Sequence, residues 1–475
     1  MSTIKFDSDQ QRVINSDASN ICVIAGAGAG KTACLIARVR RLLQDGVDPA
    51  KIVCITFTTM AATEMKQRLS EFNIRNMFVG TIHSYAFQML RRNRIYKQLL
   101  TPEREDAIAK ELIEKYCKHL TVSKFEEWSL MRWKKDRGRV TSQEMWSVLN
   151  ALEKDELHAV MDTLDSVCIE VREGETLDQA AKRVLKEESA ARTTASFPET
   201  VTSVANARGF ITFNALLDLC THNAQIPPIE HLFVDEFQDV GVFEYRFITS
   251  LKADNRFYVG DDSQSLYAFK GSDFEYFQGL TRSPEFETHM LINNYRCSKK
   301  IVEAANEIIS HIDDVIPKKC VSKASYTTNV APIHEVGGVK KVMQYIQHIN
   351  PKDYGKWFVL VRSNADAISV QRNCYYAGIP TLTFKKGAMT SEELDSAMEE
   401  NAIKVLTVHT AKGLESDNVI AWANFPTEEE INGYYDGEKH DTEECRVYYV
   451  AATRAKKQLI VIHKQGKESS LQFDE

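Results

Sequence analysis

Eight short apolar runs punctuate the chain: NICVIA (20–25), KIVCITF (51–57), HLFVDEF (231–237), RFYVGD (256–261), KWFVLVR (356–362), IKVLTVHT (403–410), NVIAWANF (418–425) and LIVIH (459–463). Each is rich in β-branched residues, and the segments between them carry apolar positions at helical spacing. Continuous apolar runs of this length mark strands buried on both faces. The pattern therefore predicts an α/β protein with parallel sheets built from strand–helix–strand units. The runs fall into two groups, which predicts two α/β domains.

Between about residues 89 and 210 the pattern changes to long helical segments such as EDAIAKELIEKYCKHL, with little strand signal. Because the strand pattern resumes at His231, this stretch is expected to be a helical insertion within the first α/β domain. The first domain then comprises residues 1–88 and 211–290, the insertion 89–210, and the second domain 291–475. No repeat or low-complexity linker interrupts this order, and the polar tail QGKESSLQFDE is expected to fray.

At 475 residues the chain is long enough for two cores, and 43% hydrophobic with 26% charged residues describes a globular protein. No apolar run approaches the roughly 20 residues of a membrane span, and the start MSTIKFDSDQ lacks the apolar region of a signal peptide. A cytoplasmic protein with no membrane partner is expected. The ten cysteines are scattered without a C-x-x-C pair, which favours buried, reduced thiols over a zinc or iron–sulfur site. A net charge of -7 weighs against a protein wrapped in nucleic acid, but electrostatic footprints are local. Basic clusters stand at 38–41, 91–94 and 132–139, and acidic ones at 428–430 and 441–444; each by itself reads as a solvated helix face.

The segment AGAGAGKT, Ala25 to Thr32, follows a predicted strand and precedes a helical run, as a phosphate-binding loop requires. Ala25, Gly26, Ala27, Gly28, Ala29 and Gly30 are small enough for backbone N–H groups to close around phosphate oxygens, and the helix N-terminus adds positive potential. Lys31 is placed to reach the β- and γ-phosphates of a nucleoside triphosphate, and the Thr32 hydroxyl to ligate Mg²⁺. Such a loop calls for a downstream strand ending in acids, and VDEFQD supplies them: Asp235 for the metal and Glu236 to polarise the attacking water. A hydrolytic glutamate argues against a kinase, which must exclude water.

With those two sites placed, further motifs fall in order: FDSDQQRVI, CITFTTMAATEM, GTIHSYA, VGDDSQSLYAFKG, NNYRC, VLTVHTAKGLE and EECRVYYVAATRAKKQL. The set resembles superfamily 1 DNA helicases of the UvrD/Rep type, from residue 6 to about 460. The resemblance implies two RecA-like domains, ATP and Mg²⁺ as ligands, and DNA as partner. Gln10 falls where the family reads the adenine edge, Tyr295 where it stacks on adenine, and Glu415 where it approaches the ribose or phosphates. Gln264 matches the residue that contacts the γ-phosphate, while Arg296 and Arg454 match two arginine fingers reaching from the second domain. Lys412 is either structural or a backbone contact.

On the DNA side the resemblance implies base stacking by Phe57, Tyr267 and Phe269, with Thr58, His83, Lys270 and His409 beside them. Stacking suits an enzyme that steps along any sequence, because every base has a π-face. Trp128, Trp133 and Trp146 of the insertion read as core, although Lys134, Lys135, Arg137 and Arg139 could touch phosphates. The family's cycle implies stepping of one domain past the other along a single strand, with 3′ to 5′ polarity.

Four departures stand out. Ala33 occupies the place of a customary arginine that sandwiches adenine, a loss on the order of 1 kcal/mol unless Arg38 or another side chain substitutes. Thr59 and Met60 replace a customary asparagine and lysine, and Phe269 a tryptophan. The interval from Arg296 to Val405 is too short for the helical subdomain called 2B that full-length relatives insert there. Two readings follow: a helicase in replication, repair or defence that separates single-stranded DNA from tailed duplex, or a DNA-stimulated ATPase serving a partner nuclease, as in two-component anti-phage systems such as Gabija. An inactive scaffold is disfavoured by the intact Lys31, Asp235, Glu236, Gln264, Arg296 and Arg454.

Overall fold

The computed structural model describes residues 5–101, 207–266, 274–312, 314–326, 330–384, 391–423 and 442–464, with a few isolated positions between 104 and 205. Most of the expected helical insertion, with its tryptophans and the basic cluster 134–139, lies outside the described residues. So do Tyr267, Phe269 and Lys270, the acidic run 428–430 and the C-terminal tail. The chain divides into two compact units, Met1–Tyr85 with Ile226–Glu475, and Ala86–Gln225.

Sixteen strands are described: β1 Asn20–Ala25, β2 Ile52–Thr56, β3 Phe78–Thr81, β4 Gln98–Leu99, β5 Phe210–Ile211, β6 Ile229–Val234, β7 Ala253–Gly260, β8 Glu287–Leu291, β9 Asn293–Asn294, β10 Val321–Ser322, β11 Ile333–Val336, β12 Trp357–Val361, β13 Thr381–Leu382, β14 Ile403–Thr407, β15 Ser416–Ala423 and β16 Ala455–His463. In the larger unit, six form one sheet in the order β3-β2-β6-β7-β1-β8, and six another in the order β11-β16-β15-β12-β14-β13. Every pairing within both sheets is parallel. The fold is α/β with parallel sheets, as the apolar runs require.

Both faces of the second sheet are buried, which is why its strands read as unbroken apolar runs. Phe358, Leu360, Val419, Ala421, Leu459 and Val461 face one core, while Val359, Val361, Ile420, Trp422, Ile460 and Ile462 face the other. In the first sheet Ile21, Val23, Cys54, Phe233, Phe257 and Val259 pack with Leu35 and Val39 of helix Lys31–Gln44 and Met65 of helix Thr59–Arg68. The eight described cysteines are free and buried. Among the described residues, no helix is long and apolar enough to cross a membrane.

All eight anticipated strands are present, with ends shifted by up to four residues; NICVIA matches Asn20–Ala25, while LIVIH lengthens to Ala455–His463. IKVLTVHT stops as a strand at Thr407, whose side chain accepts from the Thr410 N–H and caps the helical turn Val408–Ala411. Strands β3, β8, β11 and β13 carried no clear sequence signal: they are short or lie at sheet edges, so they lack the continuous apolar run of a central strand. In the smaller unit β4 pairs in parallel with β5, followed by helix Phe213–Asn223, capped by Thr212 and burying Leu216, Leu217 and Cys220.

Candidate active site

The loop between β1 and helix Lys31–Gln44 is built as its small residues predict. Gly28 and Gly30 adopt φ of 67° and 82°, left-handed geometry that costs other residues about 1–2 kcal/mol. At Gly28 a side chain would also collide with Arg296 Cβ, 2.8 Å from where its own Cβ would stand. Gly30 is the N-cap of a 14-residue helix with no side-chain cap, leaving the first N–H groups available to an anion. Among the described residues no cluster of three or more His, Cys, Asp or Glu gathers around a metal. A hard-oxygen pair does form: Thr32 Oγ1 donates to Asp235 Oδ2 at 2.8 Å. That pair suits Mg²⁺, which takes few protein ligands and completes its shell with water and substrate phosphates.

Asp235 follows β6, and its own N–H donates to Ile55 O at 2.9 Å, which fixes the carboxylate beside the loop. Glu236, next along, sits at φ 54°, a left-handed conformation rare for a glutamate. Its carboxylate lies 3.3 Å from Lys31 Nζ and accepts from Gln238 Nε2 at 2.7 Å. The two acids are driven apart. Burial, with Glu236 alongside, pushes Asp235 up to about 7. Burial also works to raise Glu236, but Lys31 and Lys412 outweigh it and draw this carboxyl down to about 2. Lys31 beside Glu236 thus favours its ionised form, while burial disfavours a charge on Asp235.

The second sheet, and the turn after β9 in the small β9–β10 sheet, contribute from the other side. Arg296 Nε donates to Glu415, whose other oxygen is 2.7 Å from Lys456 Nζ. Arg454 is buried: Nε donates to Val450 O at 3.1 Å, Nη1 to Leu414 O at 3.2 Å and Nη2 to Gln264 Oε1 at 3.4 Å. Burial and nearby Arg296 pull the Arg454 guanidinium down to about 10, still charged at neutral pH. Gln10, the capping-box partner of Asp7, donates from Nε2 to Ala29 O at 3.0 Å and so touches the loop directly. Tyr295 is 41% exposed, and its hydroxyl donates to Asp7.

Residues inside the motifs that had been given no role of their own join these groups, and Lys412 and Arg38 find theirs. Asn294 donates to Ala27 O at 2.7 Å and accepts from the N–H groups of Arg296 and Cys297 at 2.8 and 2.7 Å. It ties the turn carrying the arginine to the loop. The Ala27 N–H donates to Tyr449 OH at 3.2 Å, and the Tyr295 N–H to Gly28 O at 3.0 Å. Lys412 is structural: its ammonium donates to both oxygens of Asp239 at 2.7 and 2.5 Å and to Gln264 O at 2.8 Å. Arg38 does not substitute at the base. It is buried, and its Nη1 donates to Val13, Ile14 and Ser16 carbonyls at the end of helix Ser8–Asn15, over the Phe257 ring. For this arginine the expectation of a solvated helix face is overturned.

Of the residues matched to DNA contacts, Phe57, Thr58 and His83 gather at one edge of the first sheet, where β2 and β3 end in register at Thr56 and Thr81. Thr58 caps helix Thr59–Arg68 through the Ala61 N–H. His83 Nε2 lies 3.8 Å from Glu244, and burial draws the imidazole down to about 4. His409 is half-buried on the turn Val408–Ala411 of the second sheet.

Two parallel sheets meeting across one glycine-rich loop place the chain in the class of P-loop proteins with paired RecA-like domains. The profile of the UvrD/REP helicase N-terminal domain matches residues 6–285, and that of the UvrD-like helicase C-terminal domain matches 289–389 and 384–466. The chain belongs to the UvrD/Rep helicase family. It is 26% identical to an ATP-dependent DNA helicase PcrA of Leuconostoc citreum over 402 residues, covering 79% of this chain and 49% of that protein. It is 28% identical to DNA helicase II of Escherichia coli over 339 residues, 66% of this chain and 41% of that one. A probable DNA helicase of Mycoplasma pneumoniae is 24% identical over 495 residues, 96% of this chain and 83% of that one. The chain spans about half the length of the PcrA relatives it matches.

Proposed function

We propose that the chain is an ATP-dependent single-stranded DNA translocase and 3′ to 5′ helicase. The observation that carries this reading is the convergence on one loop of Lys31, Thr32, Asp235 and Glu236 from the first sheet, Arg454 from just before β16 in the second, and Arg296 from the turn after β9, which ion-pairs with Glu415 beside that second sheet. A site divided between two sheets reads their relative position, so hydrolysis there can be tied to movement.

In this reading the loop N–H groups and Lys31 hold the triphosphate, and Tyr295 and Gln10 meet the base. Thr32 and Asp235 would hold Mg²⁺, which would supply positive charge to offset that of the triphosphate. Glu236, ionised and left-handed at the strand end, takes the proton of the attacking water. Arg296 and Arg454 hold charge on the transferring phosphoryl, and Gln264, already hydrogen-bonded to Arg454, registers the γ-phosphate. Phe57, Thr58, His83 and His409 would contact the strand, as the resemblance implies. Unwinding of duplexes bearing a 3′ or a 5′ single-stranded tail tests this: opening from the 3′ tail is expected, and opening from the 5′ tail alone refutes the polarity.

A second reading, a DNA-stimulated ATPase serving a partner nuclease or repair protein, is favoured by one observation. Between Arg296 and β14 the described chain is spent on β10 to β13 and on helices Lys299–Ser310, Val339–Gln347, Asn364–Tyr376 and Ser391–Glu399. Most of these elements complete the second sheet and its cover, leaving little chain for a subdomain 2B. ATP hydrolysis stimulated by DNA without strand separation supports this alternative.

A further inference from the structure

Lys318 belongs to none of the recognised motifs. It precedes β10 in the second domain, where Asn306 of helix Lys299–Ser310 pins the adjoining Cys320 through both its N–H and its carbonyl, at 2.8 Å each. Its ammonium crosses to the first domain and lies 3.0 Å from Asp261 Oδ1, 2.7 Å from Asp262 Oδ1 and 2.8 Å from Ser263 Oγ. The side chains of Lys318 and both aspartates are 0% exposed. Asp261 has two further partners: its Oδ1 accepts from the Ser263 N–H at 3.2 Å and its Oδ2 from Gln264 Nε2 at 2.6 Å. The other end of the same amide, Oε1, accepts from Arg454 Nη2 at 3.4 Å.

We infer that Lys318 is a positioning residue for hydrolysis, acting through Asp261 to let Gln264 leave its resting hydrogen bond and reach the substrate. The inference rests on the function proposed above, in which Gln264 meets the γ-phosphate. In the geometry seen here one N–H of the Gln264 amide is held by Asp261. Moving the amide to a phosphate leaves this wholly buried carboxylate with the Ser263 N–H and, without Lys318, no counter-charge at contact distance, and a buried charge stripped of its partner cation is strongly unfavourable. With Lys318 in place Asp261 keeps a charged partner and the amide is free to turn. Burial acts to lower the Lys318 ammonium, but Asp261 and Asp262 outweigh it and hold it protonated. Because Lys318 comes from the second domain, release of Gln264 depends on that domain being seated.

The test is steady-state ATP hydrolysis by the full chain with saturating single-stranded DNA, comparing wild type, Lys318→Met, Gln264→Ala and the double variant. The expected result for Lys318→Met is a fall in kcat of about tenfold or more with KM for ATP within about twofold of wild type. Adding Lys318→Met to Gln264→Ala should lower kcat no further, so the double variant should match Gln264→Ala alone. A Lys318→Met kcat within about twofold of wild type, or effects that multiply in the double variant, overturns the inference. Asp261→Asn removes the carboxylate that detains Gln264, so Lys318→Met/Asp261→Asn should recover most of the lost turnover. That charge-balanced pair also serves if Lys318→Met alone fails to fold, and turnover as low as that of Gln264→Ala in it overturns the inference. Absence of wild-type hydrolysis overturns the proposed function and this inference together. Normal wild-type hydrolysis with Lys318→Met unchanged overturns only the role of Lys318.

Discussion

Replacing Lys412 with methionine removes one ammonium and keeps the length of the side chain. In the wild type that ammonium holds both oxygens of Asp239 and the Gln264 carbonyl, with the lysine side chain 6% exposed and the aspartate 1%. The variant leaves a carboxylate out of water with its cation gone, a change that costs about 3–5 kcal/mol. Unfolding entropy of about 2.1 cal/mol/K per residue gives roughly 0.7 kcal/mol/K for the unit carrying both sheets, so Tm should fall by about 4–7 °C. Differential scanning calorimetry of wild type, Lys412→Met and Lys412→Met/Asp239→Asn reads this directly. The double variant should recover most of the loss, since a neutral pair strands no charge. A single variant within about 1 °C of wild type, or a double variant no better than the single, refutes the buried pair as an element holding the two sheets together.

Glu236→Gln should keep nucleotide binding, since the Lys31 ammonium is released from its 3.3 Å partner, while lowering turnover by about 10²-fold or more; single-turnover hydrolysis beside a fluorescent-nucleotide titration checks it, and near-normal turnover contradicts the assignment of the base. Ala33→Arg should tighten ATP binding by about 1 kcal/mol, roughly fivefold, by covering the base opposite Tyr295; unchanged affinity in calorimetric titration removes the supposed gap in the base site. His83, drawn down to about 4 from an ordinary 6.5, is neutral when folded at neutral pH. At the His83 site the unfolded chain therefore binds more protons between those values, so this residue's contribution to stability should decline as pH falls from 6.5 towards about 4. The difference in urea midpoint between wild type and His83→Gln should shift against wild type as pH falls through that range, and a difference independent of pH counts against a buried neutral imidazole.

The central strands were legible because burial on both faces forces an unbroken apolar run: Phe358 to Val361 and Leu459 to Ile462 alternate between two cores and are apolar at every position. Edge strands escaped for the opposite reason. Glu287–Leu291 buries only Leu291 fully, and Ile333–Val336 alternates between half-buried and exposed positions. The nucleotide site was legible where chemistry demands fixed neighbours, as in Gly30-Lys31-Thr32 or Asp235-Glu236. What sequence could not supply were polar groups whose partners lie far along the chain. Asn294 gripping Ala27, Tyr449 reaching the same residue, Asp7 joining Gln10 to Tyr295, and Lys318 on Asp261 acquire meaning only when two sheets meet. Arg38 shows the converse error, because a basic cluster on a helix reads as solvated until the carbonyls at the end of a neighbouring helix are seen to need its donors.

The division of one hydrolytic site between two sheets is the central claim, and ATP turnover by Arg296→Lys beside wild type, with and without a single-stranded oligonucleotide, tests it most directly. Lysine keeps the charge but not the planar fork that engages Glu415 and reaches the Thr453 carbonyl at 3.4 Å. The account predicts that DNA raises wild-type hydrolysis severalfold and that the variant, folded and still binding nucleotide, shows little of that rise. Hydrolysis stimulated equally in both proteins would contradict it.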